Sequence, residues 1–485
     1  MVNFRIISKI LGSLLFIEAL FMATCMVMAL SYGEDDVLAF VISTVLTFGG
    51  AIMFRSFGQS EDSSLSRRDA YVVVTMTWVV FSFFGMFPFL LHGSVTSVAD
   101  AYFETMSGFT TTGASVIDDV ESLPHGLLFW RSLMQWIGGL GIVFFTIALL
   151  PSLVGGSVKV FAAEATGPMR AKMHPRLSTS AKWIWSIYVL LTVLCGVSFW
   201  AAGMEWFDAT NYSMTTTATG GFSIHNGSGP FFTNSTLEYL SILFQFLAGI
   251  NFTLLYMSLF KLRFGALFRN AEFKLYLGTV VATTVVIGLL LISQMGYDWE
   301  RALRSSLFQV VSFITTTGLS NAEAGTWPHV TWFILFGLMF MGACAGSTTG
   351  GFKSIRVLML LKVLRNEFRH ILHPNAVLPV KMSGQSVPQG KLVTLLAFFT
   401  IIIIVVIITT AIMVIAGVDI TNSITISISL ICNDGIGLDT NIGPQMSWSD
   451  LSWAIKWLCS GLMLVGRLEI LTVLVLFTRS FWKEN

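Results

Sequence analysis

Three stretches of the chain end in the same polar run: Thr110-Thr111-Thr112-Gly113, Thr217-Ala218-Thr219-Gly220 and Thr315-Thr316-Thr317-Gly318. A fourth, Cys432-Asn433-Asp434-Gly435, keeps the glycine but not the threonines. A dehydrated potassium ion needs several oxygens in place of its water, and rings of backbone carbonyls supply them without fixed charge. Glycine takes a positive φ, so successive carbonyls can turn toward one axis. Threonine is stiff at χ1, and its hydroxyl can satisfy local backbone groups. One Thr-Thr-Gly says little, since a glycine-ended turn closing a short re-entrant helix looks the same. Four such sites, separated by 107, 98 and 117 residues, are a repeat.

What positions them is a membrane. The chain has 485 residues, 54% hydrophobic and 11% charged, against roughly 25% charged in soluble domains. Apolar segments recur at Ile10–Ala29, Val37–Phe54, Tyr71–Leu91, Leu127–Leu150, Trp183–Ala202, Leu237–Phe260, Leu275–Ile292, Val330–Met341, Leu392–Ala416 and Trp453–Phe477; about 20 helical residues cross a bilayer. Ile10–Ala29 is too long for a signal-peptide core and runs into Glu34-Asp35-Asp36, so it reads as a retained helix. Each threonine-glycine run ends a stretch of about 12 residues between two spans, long enough for a half-membrane helix. Irregular backbone at that depth survives only where protein buries it or water lines it. Four half-helices converging on one axis would aim their negative carboxyl ends there, which favours a cation.

The fold class that follows is an all-α polytopic membrane protein: four pseudo-repeats of helix, pore loop and helix around one central ion pathway, with two extra amino-terminal helices. The boundaries read as a helix pair at 1–68, then repeats at 69–160, 161–268, 269–372 and 373–485.

With the amino terminus cytoplasmic, the inward segments are 1–9, 55–69, 151–182, 261–274, 353–391 and 478–485. They hold 23 of the 28 Lys and Arg, the basic excess that orients membrane proteins, and only seven of the 27 Asp and Glu. Both termini are then cytoplasmic. The outward acids, among them Asp118, Asp119, Glu121, Glu205, Asp208 and Glu323, would raise the local cation concentration. The inward clusters Arg170, Lys172, Arg176 and Lys353, Arg356, Lys362, Arg365, Arg369 read as topology signals and contacts to anionic lipid. A net charge of +1 suggests no nucleic-acid partner.

Two further features concern closure of the path. Gly342-Ala-Cys-Ala-Gly346-Ser347-Thr348-Thr-Gly350-Gly351 interrupts the second helix of the third repeat. It cannot hold a lipid-facing helix, and it is expected to be buried, mobile and below the four loops. The phosphate-cradle spacing GxxxxGK[ST] is absent. Arg467 places a charge inside the last span, a functional signal by default; the plainer alternative is a structural group paired with Glu469 or loop carbonyls. Asp434 is either a fixed charge near the ion or a bonder of backbone amides. The five cysteines and seven histidines lack the spacing of a zinc, haem or disulfide framework, and no enzyme chemistry is indicated. The inward segments are too short for a nucleotide-binding domain, so this chain binds no nucleotide itself.

Ser107–Ser115, Thr219-Gly-Gly-Phe-Ser223, Thr315–Ser320 and Asn433-Asp-Gly-Ile-Gly437 together resemble the Trk/Ktr/HKT superfamily of potassium transporters, over nearly all of residues 69–480. The amino-terminal helix pair resembles the bacterial TrkH branch. The resemblance implies potassium uptake across the inner membrane through a filter formed by Thr111, Thr112, Gly113, Ala218, Thr219, Gly220, Thr316, Thr317, Gly318, Asn433, Asp434 and Gly435, with rubidium also passing. Glycine at the first-repeat position, here Gly113, is the potassium-selective choice in that family, where serine marks many sodium-permeable members. It further implies a gate of Gly342, Gly346, Ser347, Thr348, Gly350, Gly351 and Arg467, a homodimer, and control by a cytosolic Rossmann-type ring binding NAD or ATP. Coupling of potassium to sodium or protons stays open as the alternative to a gated channel.

Overall fold

The computed structural model describes residues 2–58, 66–141, 177–226, 234–322, 324–376, 378–382, 385–437 and 448–483. Two long helices come first: α1 (Phe4–Tyr32), which Asn3 caps, and α2 (Val37–Phe57). They lie side by side because Gly12 has no side chain; a Cβ there would stand 2.7 Å from the Ala51 carbonyl oxygen. Small residues let helix backbones approach in this way where lipid surrounds them.

The first repeat holds α3 (Arg67–Gly85), started by a Ser66/Asp69 capping box, then α4 (Phe87–His92), the short pore helix α5 (Val98–Phe109) and α6 (His125–Gly139). The second holds α7 (Leu177–Ala201), pore helix α8 (Trp206–Ala218), α9 (Ser235–Ala248), α10 (Phe252–Leu259) and α11 (Phe264–Arg269). The third holds α12 (Ala271–Met295), pore helix α13 (Trp299–Ile314), α14 (His329–Met341) and α15 (Ser354–Leu372). The fourth holds α16 (Gln389–Ile415), pore helix α17 (Ile420–Cys432), α18 (Trp453–Arg467) and two single turns, α19 (Leu471–Leu474) and α20 (Arg479–Trp482). A two-residue pairing of Lys381–Met382 with Gln385–Ser386 is the strand content among the described residues. The architecture is an all-α polytopic membrane fold of four such repeats; among the described residues six helices, α3 and α4 counted as one, are long and apolar enough to span.

Two expected continuous spans are broken. Leu237–Phe260 bends by 106° at Gly249–Asn251, and Trp453–Phe477 bends by 108° just after Arg467. The first break is held open from outside: Asn251 accepts from Thr253 and Leu254 as a new helix cap, while its Nδ2 donates to the Ala345 carbonyl. The third repeat breaks at 342–353 as expected. In the first, Gly141 turns left-handed at φ 85° directly after α6, and the rest of Leu127–Leu150 lies outside the described residues. Thus each repeat's second helix ends at a break, after Gly139, Ala248, Met341 and Arg467. The five cysteines are all buried free thiols.

Candidate functional site

All four pore helices end in one turn. A residue at the cap or just after it takes a left-handed φ: Thr111 at 54°, Thr219 at 53°, Thr316 at 52° and Asn433 at 55°. Its N–H donates three residues back, to Gly108, Thr216, Phe313 and Leu430. The next N–H donates five back, Thr112 to Ser107, Gly220 to Thr215, Thr317 to Ser312 and Asp434 to Ser429, at 2.9–3.0 Å. This paired bonding satisfies the orphan carbonyls of a helix end, and it normally uses glycine or asparagine. Threonine there costs about 1–3 kcal/mol, a strain that clusters at functional sites.

Two residues on, a second left-handed residue follows: Gly113 at 82°, Gly221 at 77°, Gly318 at 78° and Gly435 at 67°. This corrects the register of the second loop. Gly221, not Gly220, matches Gly113; Gly220 matches Thr112, Thr317 and Asp434, and Ala218 falls one place before the others. Two successive glycines hid the offset, because threonine spacing alone aligns the first of them.

The four loops close into a ring. A Cβ on Gly113 would collide with the Gly220 carbonyl oxygen, one on Gly221 with that of Thr317, and one on Gly435 with that of Thr112; one on Gly318 would lie 2.7 Å from that of Asp434. Each glycine therefore sits against the middle carbonyl of the next loop, in the order 1, 2, 3, 4, 1. The fourth loop's departure from threonine is explained by its place: asparagine tolerates the left-handed turn, and Asn433 Nδ2 donates to Thr112 Oγ1 at 3.0 Å and to the Met463 carbonyl at 2.9 Å.

Under the ring runs 342–351, mostly buried as expected. Gly342 ends α14 with its carbonyl bonded by Ser354, Gly346 accepts from the Phe252 N–H, and Ser347 donates to the Cys344 carbonyl. Thr348 Oγ1 donates to the Thr217 carbonyl at 3.1 Å and lies 3.4 Å from Thr219 Oγ1. The Gly350 N–H donates to Thr316 Oγ1 at 2.7 Å, and the Gly351 N–H to the Cys432 carbonyl at 2.9 Å. The segment so touches loops two, three and four.

Arg467 joins the first loop to this segment. Its Nη1 donates to Thr111 Oγ1 at 3.0 Å and to the Thr348 carbonyl at 3.1 Å; Nη2 donates to the carbonyls of Gly138 and Gly139 at 2.6 and 2.7 Å. The expected bonding to carbonyls is present, on Thr348 of this segment and at the end of α6. Glu469 pairs with Arg356 on α15. Arg356 and Lys353 are correspondingly buried, the latter donating to the Thr349 carbonyl, so neither belongs to an inward lipid-facing cluster. Arg170, Lys172 and Arg176 lie outside the described residues.

Sequence reading missed a charged scaffold behind the ring. Glu104 on α5 and Arg131 on α6 are buried and paired at 3.0 Å. Arg131 also donates to the Ser223 carbonyl and Ser115 Oγ, and Glu104 accepts from the Val116 N–H, which fixes the outer arms of loops one and two. Gln135 Nε2 donates to the Gly220 carbonyl at 2.7 Å while its Oε1 accepts from Phe222. Lys456 pairs with Asp100 at 2.6 Å, and Arg304 with Glu238 at 2.6 Å. The available signal was a Glu inside a pore helix and an Arg inside an apolar run. Past the second loop His225 sits between Glu121 at 3.1 Å and Asp208 at 3.2 Å. Burial pushes its pKa down, but the hydrogen bonds to the two carboxylates outweigh that and hold it above the ordinary histidine value. Glu323 lies outside the described residues.

A ring of four pore loops inside a polytopic helical fold defines a membrane protein of the ion-transport class. Residues 39–484 match the family model TrkH, described as a cation transport protein. The chain is 35% identical to the Trk system potassium uptake protein TrkH of Halomonas elongata and 34% identical to that of Escherichia coli K12, in each case over 99% of this chain and 100% of the relative. Its fold superposes on the crystal structure of the potassium transporter TrkH from Vibrio parahaemolyticus with a TM-score of 0.90 and 32% identity, covering 99% and 100% of the two chains. The chain belongs to the TrkH family of cation transport proteins, a family of transporters rather than enzymes.

Proposed function

We propose that the chain carries potassium into the cell across the cytoplasmic membrane, through the ring formed by Thr111–Gly113, Thr219–Gly221, Thr316–Gly318 and Asn433–Gly435. What supports this reading is the closure of the ring: four left-handed glycines, each against the next loop's carbonyl. Relatives spanning the whole chain bear the name potassium uptake protein. Uncharged carbonyl oxygens suit a large, weakly hydrated cation, and rubidium should pass as well.

Segment 342–351 and Arg467 act as the gate. Their support is position: the segment bonds three loops from below and Arg467 ties it to the first. The repeats run over 69–160, 161–268, 269–372 and 373–485, both termini are cytoplasmic, and two copies of the chain form a homodimer. A separate cytosolic subunit of Rossmann type, binding NAD or ATP, sets the gate.

Rubidium uptake into liposomes holding the purified chain, with no sodium or pH gradient, tests the reading. Uptake driven by the rubidium gradient alone is the expected result. Uptake only when a sodium or proton gradient is imposed would make the protein a coupled symporter.

A further inference from the structure

At the middle position of the ring the four loops carry Thr112, Gly220, Thr317 and Asp434. The first three are accounted for. Thr112 Oγ1 is bonded by Asn433 and shares a hydrogen bond with Thr110 at 2.8 Å. Thr317 Oγ1 lies 2.7 Å from Thr315 Oγ1. At Gly220, the place a side chain would occupy is filled by the Gln135 carboxamide. Asp434 is 1% exposed, and among the described residues neither carboxylate oxygen has a hydrogen-bond partner.

Among the described residues no protein cation compensates it. The buried cations are engaged elsewhere: Arg131 with Glu104, Lys456 with Asp100, Arg356 with Glu469, and Lys353 with Thr349. Arg467 is spread over Thr111, Thr348, Gly138 and Gly139. Nor does Asp434 bond backbone amides to hold its loop, since the loop's turn is closed by main-chain bonds. A buried ionised carboxylate with no counterion costs several kcal/mol. A cation in the adjoining ring would remove that cost, and the Asp434 carbonyl is itself part of the ring, against Gly318.

We propose that Asp434 is a specificity-determining residue whose carboxylate is a fixed charge on the fourth side of the ring, with the permeating dehydrated monovalent cation as its counterion. This rests on the ring being the ion pathway. The charge raises occupancy by a cation that has shed its water, and it makes one side of the ring electrostatically unlike the other three.

The test uses the full chain in liposomes and measures the rubidium concentration for half-maximal uptake and the rubidium-to-sodium uptake ratio. Asp434→Asn keeps the shape and removes the charge; Asp434→Thr installs the residue type of loops one and three. Both should raise the half-saturating concentration about tenfold or more and lower the ratio, while Asp434→Glu retains most of the wild-type affinity. Wild-type values in either neutral variant, in protein with an unchanged melting temperature, overturn the inference. Gly221→Ala serves as the separate control. If it leaves uptake and the ratio intact, the pathway reading fails; if it disrupts them while Asp434→Asn does not, only the role of Asp434 fails.

Discussion

Asn433 Nδ2 donates to Thr112 Oγ1 at 3.0 Å, across 321 residues of sequence, and joins the fourth loop to the first. The loop that least resembles the others is thus the one that closes the ring. Asn433→Ala removes this bond and the one to Met463 and leaves a non-glycine residue at φ 55°. We expect a loss of about 1–3 kcal/mol of stability and a lower rubidium-to-sodium uptake ratio. A thermal melt and paired uptake assays measure both; an unaltered ratio would show that closure between loops four and one is irrelevant to ion choice.

The gate makes a charge-specific prediction. Arg467→Ala, or shortening of 342–351, should raise uptake several-fold, since the guanidinium holds Thr111 and Thr348 together. Two and three residues past Arg467, Glu469 and Ile470 take positive φ values of 54° and 46° and are anchored by the Glu469–Arg356 pair. Arg356→Glu and Glu469→Arg should each raise uptake, and the double exchange should restore it toward the wild-type rate. Equal uptake in all three would separate this pair from Arg467.

The Glu104–Arg131 pair is a scaffold, so its loss should appear as instability before it appears as altered selectivity. Both side chains are 1% exposed or less, and removing one leaves the other buried and unpaired. Glu104→Ala should cost about 3–5 kcal/mol, read as a large drop in melting temperature in detergent. A melt within a degree or two of wild type would contradict the assignment.

His225 predicts a pH dependence of stability. Its folded-state pKa is raised by Asp208 and Glu121. Its contribution to stability is therefore fully present below the unfolded value of about 6.5 and is lost as pH rises through the higher folded value. The difference in melting temperature between wild type and His225→Gln should be greatest in acid and vanish in alkali. A difference that grows with pH would refute the ion-pair account.

The four pore loops were legible in the sequence because threonine runs ended by glycine are local patterns set between apolar spans. The Gly220/Gly221 register was not, since either glycine satisfies the pattern and only the neighbouring loop's carbonyl decides between them. The helix breaks at Gly249–Asn251 and after Arg467 were hidden because the apolar run continues through them; what opens the first is Ala345, almost a hundred residues away. Arg356 and Lys353 read as inward-facing charge because segment counting cannot see that Glu469 and Thr349 lie beside them. Glu104 and Arg131 are separated by 27 residues, and their pairing depends on how α5 packs on α6.

The central claim is that four loops make one ring, so its four left-handed glycines must act as a unit. The most direct measurement is the rubidium-to-sodium uptake ratio of Gly113→Ala, Gly221→Ala, Gly318→Ala and Gly435→Ala in liposomes, each checked for folding by its melt. In every case the added Cβ meets the next loop's carbonyl. All four variants are predicted to lose rubidium preference or uptake altogether. A well-folded variant at any one of the four positions with the wild-type ratio and rate would contradict the ring.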